Sequence, residues 1–141
     1  MTEFLHEHRV RYREVDPMGI VYHTHYLDYF EIARTEALRD VGLPYKSLED
    51  GGVIMPVVDL AISYRRPAKY DDLLVIRTHV TMSESATCLT FNYEVVRKGE
   101  EELLVAGHVT LCFFDREARR PIRAPEHIVS LINEFVSGDS A

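Results

Sequence analysis

Hydrophobic positions along this chain follow two periods, and the places where the period changes mark the elements. Over residues 24–41, Tyr26, Phe30, Ala33, Ala37 and Val41 recur at three- and four-residue spacing, with Leu27 and Leu38 widening the stripe. The spacing predicts a long amphipathic helix, which Gly42 and Pro44 stop. Residues 45–50 read as a short turn of helix, and Gly51-Gly52 breaks the chain. Before the long helix, residues 4–14 carry β-compatible side chains and no Gly or Pro, which predicts a strand. After it, residues 53–64, 73–82, 87–97 and 102–114 are rich in Val, Ile, Thr, Tyr and Phe and predict four more. Turn signals separate them, and Lys98-Gly99-Glu100 predicts a hairpin that pairs the last two antiparallel. At the end, Ile128, Leu131, Ile132 and Phe135 line one face of a short helix over residues 125–135, with Pro125 suited to its first position.

The order strand, long helix, four strands, short helix predicts an α+β fold with an antiparallel sheet curled around the helix. One helix leaves edges and a face of such a sheet in need of cover, which oligomerisation supplies. With 141 residues the chain reads as one domain over 1–141. A formal net charge of −7 argues against nucleic acid as the partner. The N-terminus is too acidic for a signal peptide, and no run approaches membrane-spanning length. The two cysteines, Cys88 and Cys112, suggest neither a disulfide framework nor a zinc site, so a reducing, cytoplasmic setting is expected.

The chemistry concentrates between the first strand and the long helix. Asp16, Pro17 and Gly19 occupy the first, second and fourth places of a type I turn. An Asp at that place also serves simply to bond a backbone N–H two residues on. The helix that follows opens with N–H groups lacking intrahelical partners. A carboxylate beside such groups supplies a base or nucleophile together with a site for negative charge on a carbonyl oxygen. No Gly-x-Ser-x-Gly elbow, dinucleotide fingerprint or phosphate loop occurs. His6-Glu7-His8 and His23-Thr24-His25 invite a metal reading, but residues two apart do not share a helix face, and surface or core histidines are the simpler account.

The run Asp16-Pro17-Met18-Gly19-Ile20-Val21-Tyr22-His23, continued through His25-Tyr26-Leu27-Asp28-Tyr29-Phe30-Glu31, Arg34 and Gly42-Leu43-Pro44, resembles the hotdog-fold acyl-CoA thioesterases. Within them it is most similar to the 4-hydroxybenzoyl-CoA thioesterase-like and YbgC-like families, with a weaker echo at Tyr70-Asp71-Asp72-Leu73. The resemblance implies a hotdog fold, a long helix wrapped by a five-stranded antiparallel sheet. It implies that Asp16 acts as general base or nucleophile and that the His23 backbone N–H polarises the thioester carbonyl. It also implies no metal and no cofactor beyond the coenzyme A of the substrate, and a homodimer or homotetramer with active sites at subunit interfaces. A non-catalytic acyl-CoA-binding module and a hotdog hydratase or dehydratase are the rival functions.

Substrate contacts are expected at Tyr12, at Gly19, Ile20 and Val21 of the turn, at Glu31, and at Arg65 and Arg66. Tyr12 either orients Asp16 or packs against the helix, and Glu31 either touches substrate or pairs with Arg34. The clusters Arg65-Arg66-Pro67-Ala68-Lys69 and 116–123 hold 7 of the 16 basic residues and are the candidates for coenzyme A phosphates.

Overall fold

A computed structural model describes residues 2–137. Strand β1 (Glu3–Arg9) leads through a 3-10 turn (Tyr12–Glu14) and a small hairpin into helix α1 (His25–Asp40) and a short helix α2 (Tyr45–Asp50). Then come β2 (Val53–Ile54), β3 (Val57–Tyr64), β4 (Leu73–Met82), β5 (Cys88–Arg97) and β6 (Val105–Cys112). Two short strands, β7 (Phe114–Asp115) and β8 (Arg120–Pro121), precede helix α3 (Glu126–Ser137). Five strands form one antiparallel sheet in the order β1-β4-β5-β6-β3, and β2-β7-β8 form a smaller one. No helix among the described residues is long and apolar enough to cross a membrane.

Helix α1 buries the stripe that its periodicity marks: Tyr26, Tyr29, Phe30, Ala33, Ala37 and Leu38. Phe30 lies flat on Tyr93 of β5, ring centroids 4.2 Å apart and planes 3° from parallel. The neighbouring strand makes room for that ring. Gly107 of β6 sits opposite Tyr93, and a Cβ on it would meet the Ala61 carbonyl oxygen at 2.8 Å and the Phe30 ring at 2.9 Å. A side chain there would lift the helix off the sheet.

Four expectations from the sequence need correction. The first strand stops at Arg9: Val10 N–H bonds Asp72 O beyond the β4 ladder, and residues 12–14 wind into the 3-10 turn. The run 53–64 is broken after Ile54, at Met55-Pro56, where proline has no N–H to continue a ladder. The run 102–114 starts three residues late and ends at Cys112, with Phe114 passing to the smaller sheet. Cys88 and Cys112 are directly opposed across β5 and β6, with Cα atoms 4.0 Å apart, and are joined as a disulfide. The argument from cysteine usage to a reducing compartment therefore loses its ground.

A buried carboxylate holds the 3-10 turn. Glu14 is 6% exposed, and its Oε1 accepts three donors: His8 Nε2 of β1 at 2.8 Å, the Arg11 N–H at 2.9 Å and the Tyr29 hydroxyl of α1 at 3.0 Å. Burial acts to raise its pKa, but the bonds from His8, Arg11 and Tyr29 together outweigh burial and hold it below its usual 4.5. A lowered folded-state pKa means that ionised Glu14 stabilises the fold above the unfolded value and that this contribution fades as pH falls. The melting temperature of the wild type should therefore drop more steeply below pH 4.5 than that of Glu14→Gln. Parallel pH–Tm curves for the two proteins would contradict this account.

Candidate active site

The Asp16 turn forms as its residue types require. Gly19 N–H closes it onto Asp16 O at 2.9 Å, and Met18 N–H bonds Asp16 Oδ1 at 2.8 Å. Gly19 takes φ +80°, a conformation that side chains other than glycine's resist. The chain then doubles back: Asp16 N–H bonds Ile20 O at 2.9 Å, Val15 bridges Val21, and Tyr22 N–H bonds Glu14 O at 2.9 Å. The returning strand docks on the segment before β4 through Val21 N–H to Ala68 O at 2.8 Å and an Ile20–Lys69 bridge.

Next comes a tight turn into α1, closed by His25 N–H on Tyr22 O at 3.0 Å. His23 is the second residue of that turn, and among the described residues its N–H has no acceptor. Its carbonyl accepts the Tyr64 hydroxyl at 3.0 Å. The helix start therefore carries an unpaired donor where the macrodipole is positive.

Asp16, Met18, Ile20, Val21, His23, Tyr26, Tyr64, Arg65, Arg66 and Pro67 line one cleft of about 390 Å³. Asp16 is half-buried there, with Oδ1 tied into the turn and Oδ2 free of donors among the described residues. Tyr26 is 2% exposed, and burial pushes its hydroxyl up to about 12, so it is neutral at ordinary pH. Arg65 and Arg66 are exposed; Arg66 is 3.6 Å from Glu102, whereas Arg65 has no ion-pair partner among the described residues.

The structure thus brings together Asp16, His23, Ile20, Val21, Arg65 and Arg66 from the residues singled out in the sequence, with Gly19 shaping the turn. It leaves two elsewhere. Tyr12 neither packs on the helix nor reaches the cleft, for its ring stacks on Tyr70 at 3.9 Å. Glu31 lines a separate cavity of about 420 Å³ beside His8, Arg11, Glu14 and Tyr29. It forms no ion pair with Arg34, whose Nε donates to the Tyr45 hydroxyl at 3.2 Å. The second basic cluster lies away from the cleft, with Arg116 bonded to Glu49 O and Arg123 to Glu126. The histidine pairs are spent separately: His8 on Glu14, and His25 within 3.5 Å of Asp28. Among the described residues no three His, Cys, Asp or Glu side chains are grouped to hold a metal ion.

Tyr26, Tyr64 and Glu14 escaped the sequence reading. Tyr26 carried only the helical period of a core residue. Tyr64 ended a strand-like run, and Glu14 stood in a stretch read as strand, where a Glu reads as solvent-facing.

The chain is similar to known proteins in sequence and in fold. The model of the thioesterase-like superfamily matches residues 10–132. A putative acyl-CoA thioesterase, YneP, of Bacillus subtilis is 36% identical over 117 residues, covering 83% of each chain. The acyl-CoA thioester hydrolase YbgC of Escherichia coli is 34% identical over 122 residues, covering 86% of this chain and 90% of that one. The crystal structure of a hypothetical protein from Thermus thermophilus, 35% identical, superposes with a TM-score of 0.85 over 94% of this chain and 98% of the other. With the long helix seated in a five-stranded antiparallel sheet and the family model spanning all but its ends, the chain belongs to the thioesterase-like superfamily and is a hotdog-fold hydrolase.

Proposed function

We propose that this protein hydrolyses an acyl-CoA thioester to the free acid and coenzyme A. The observation that carries the reading is the meeting, in the lining of one cleft, of Asp16 and of His23, whose N–H has no acceptor among the described residues. The names of the Bacillus and Escherichia relatives support the substrate class.

A thioester carbonyl has little resonance stabilisation, so one carboxylate and one oxyanion donor form a sufficient minimal apparatus. In one route Asp16 Oδ2 takes a proton from water, whose oxygen bonds the carbonyl carbon. The carbon–sulfur bond then breaks, and the thiolate leaves with the proton as coenzyme A. In the other, Asp16 attacks the carbon itself and the carbon–sulfur bond breaks, expelling the thiolate. Water then hydrolyses the mixed anhydride, freeing the acid and Asp16, and its proton goes to the thiolate to give coenzyme A. In both the His23 N–H takes the charge on the carbonyl oxygen. Every group comes from the chain, the substrate or water, so the reading calls for no cofactor. Ile20 and Val21 give the acyl group an apolar wall, and Arg65 and Arg66 offer cations to the substrate's phosphates in a chain of net charge −7.

Asp16→Asn keeps the turn's shape and its bond to Met18 but removes basicity. Turnover on a panel of acyl-CoAs, read as free thiol, should fall at least ~100-fold with the fold intact. Thiol release by the Asn variant near the wild-type rate would end this mechanism. A hydratase acting on the same substrates releases no thiol from the wild type.

His23 works in this scheme through its N–H and not its imidazole. His23→Ala keeps the donor and should retain most activity. His23→Pro deletes the donor at the second place of a turn, where proline is favoured, so the protein should fold. Loss of an oxyanion donor costs ~100- to 1,000-fold. Equal damage in the two variants, or an active Pro variant, refutes the assignment.

Two or more copies assemble in this reading. Strand β3 ends the large sheet with one edge unpaired among the described residues, and Val57, Val58 and Leu60 on it are 45%, 52% and 45% exposed, an arrangement that monomers avoid. Because Tyr64 of β3 bonds His23, a partner along this edge would stand beside the cleft. Light scattering at micromolar concentration should give a dimer or tetramer mass. A monomer would dismiss both the assembly and a shared site.

A further inference from the structure

Asp16 and His23 stand on the two arms of a hairpin whose position depends on how each arm is moored. The returning arm is moored by Val21 N–H on Ala68 O at 2.8 Å. The outgoing arm has its mooring in Glu14, two residues before Asp16. One carboxylate oxygen collects His8 from β1, Tyr29 from α1 and the Arg11 N–H from its own turn, while the Glu14 carbonyl receives Tyr22 N–H, next to His23. The Glu14 and His8 side chains are 8% and 16% exposed, so water offers these donors little substitute. Arg65 and Arg66 reach the cleft from the end of β3 and are untouched by this network.

We infer that Glu14 is the positioning residue of the reaction, fixing the Asp16 carboxylate and the His23 N–H relative to each other by tying their hairpin to β1 and α1. The inference rests on the acyl-CoA hydrolysis proposed above. It predicts damage to turnover and not to substrate capture, because the groups that Glu14 places act on the carbonyl.

The test compares wild type with Glu14→Met, which fills similar volume without an acceptor, and Glu14→Gln, which keeps an acceptor oxygen at the same reach. Turnover per folded molecule should fall ~100-fold in the Met variant, the scale of a 1 Å misplacement, with KM within ~3-fold. The Gln variant should recover most of that loss. Amide exchange followed by NMR should accelerate at Asp16 and Tyr22, whose N–H groups close the hairpin, and stay unchanged at Phe91 and Tyr93 in β5. A purely structural Glu14 would lower the folded fraction and leave turnover per folded molecule alone. If the Met variant fails to fold, Tyr29→Phe deletes one donor with its ring still packed, and should show the same split at about 3- to 10-fold. Unchanged turnover, or unchanged exchange at the two amides, in whichever variant folds overturns the inference. If the wild type releases thiol from no acyl-CoA, the proposed function fails separately, and the exchange data alone decide whether Glu14 holds the hairpin.

Discussion

The seating of Phe30 against Tyr93 over the bare backbone of Gly107 sets the depth at which α1 lies in the sheet, and the candidate site hangs from that depth. A packed interior does not deform continuously, so a helix pinned at one ring is pinned along its length. One turn toward the N-terminus, Tyr26 forms the buried floor of the Asp16 cleft. The residue beside Phe30, Tyr29, points its hydroxyl at Glu14. Just before the helix lies His23, whose N–H has no acceptor among the described residues. The site is assembled around the end of a helix whose axial position is decided by packing in the middle.

Much of this was readable in the sequence because burial writes a period. The stripe from Tyr26 to Leu38 and the alternation along β4 and β5 follow directly from one buried face each. The Asp-Pro-x-Gly turn was readable because turn geometry restricts residue type at each place. What escaped depends on partners far away in the chain. Residues 10–14 carry no breaker, and their 3-10 turn persists through a carboxylate bonded to His8 and Tyr29. Neither bond leaves a local signature. Pro56 did carry a signal, since proline inside a strand-like run argues for a break. The disulfide also had one: a hairpin that sets Tyr93 on Gly107 and Leu89 on Leu111 sets Cys88 on Cys112. Reading cysteines by count and spacing missed a pairing that strand register contained.

Tyr12 and Glu31 mark the other boundary of sequence reasoning. Both lie close in the chain to residues of the cleft, yet Tyr12 is drawn aside by Tyr70, and Glu31 lies on the flank of α1 turned toward Glu14. Arg65 and Arg66 show the converse. They are about fifty residues from Asp16 in sequence, and they reach its cleft because β3 runs along the edge of the sheet and ends at Tyr64, whose hydroxyl meets His23.

Glu14 and Asp16 are two carboxylates two residues apart, and in the proposed mechanism their surroundings divide between them the tasks of anchor and reagent. Burying a carboxylate is costly unless donors surround it, and three donors on Glu14 Oε1 meet that cost. A carboxylate so held is a weaker base, because bonds from His8, Arg11 and Tyr29 favour its ionised form and keep its pKa below the ordinary value. Asp16, which lines the cleft, accepts one N–H on Oδ1, and its Oδ2 has no donor among the described residues. In that mechanism Asp16 is the reacting group, and with the returning arm alone moored, on Ala68, its direction would be less firmly set. The backbone between them, through Val15 bridged to Val21, carries the anchor's rigidity to the reagent. Stability and reactivity, which compete at a single carboxylate, are thereby separated across two.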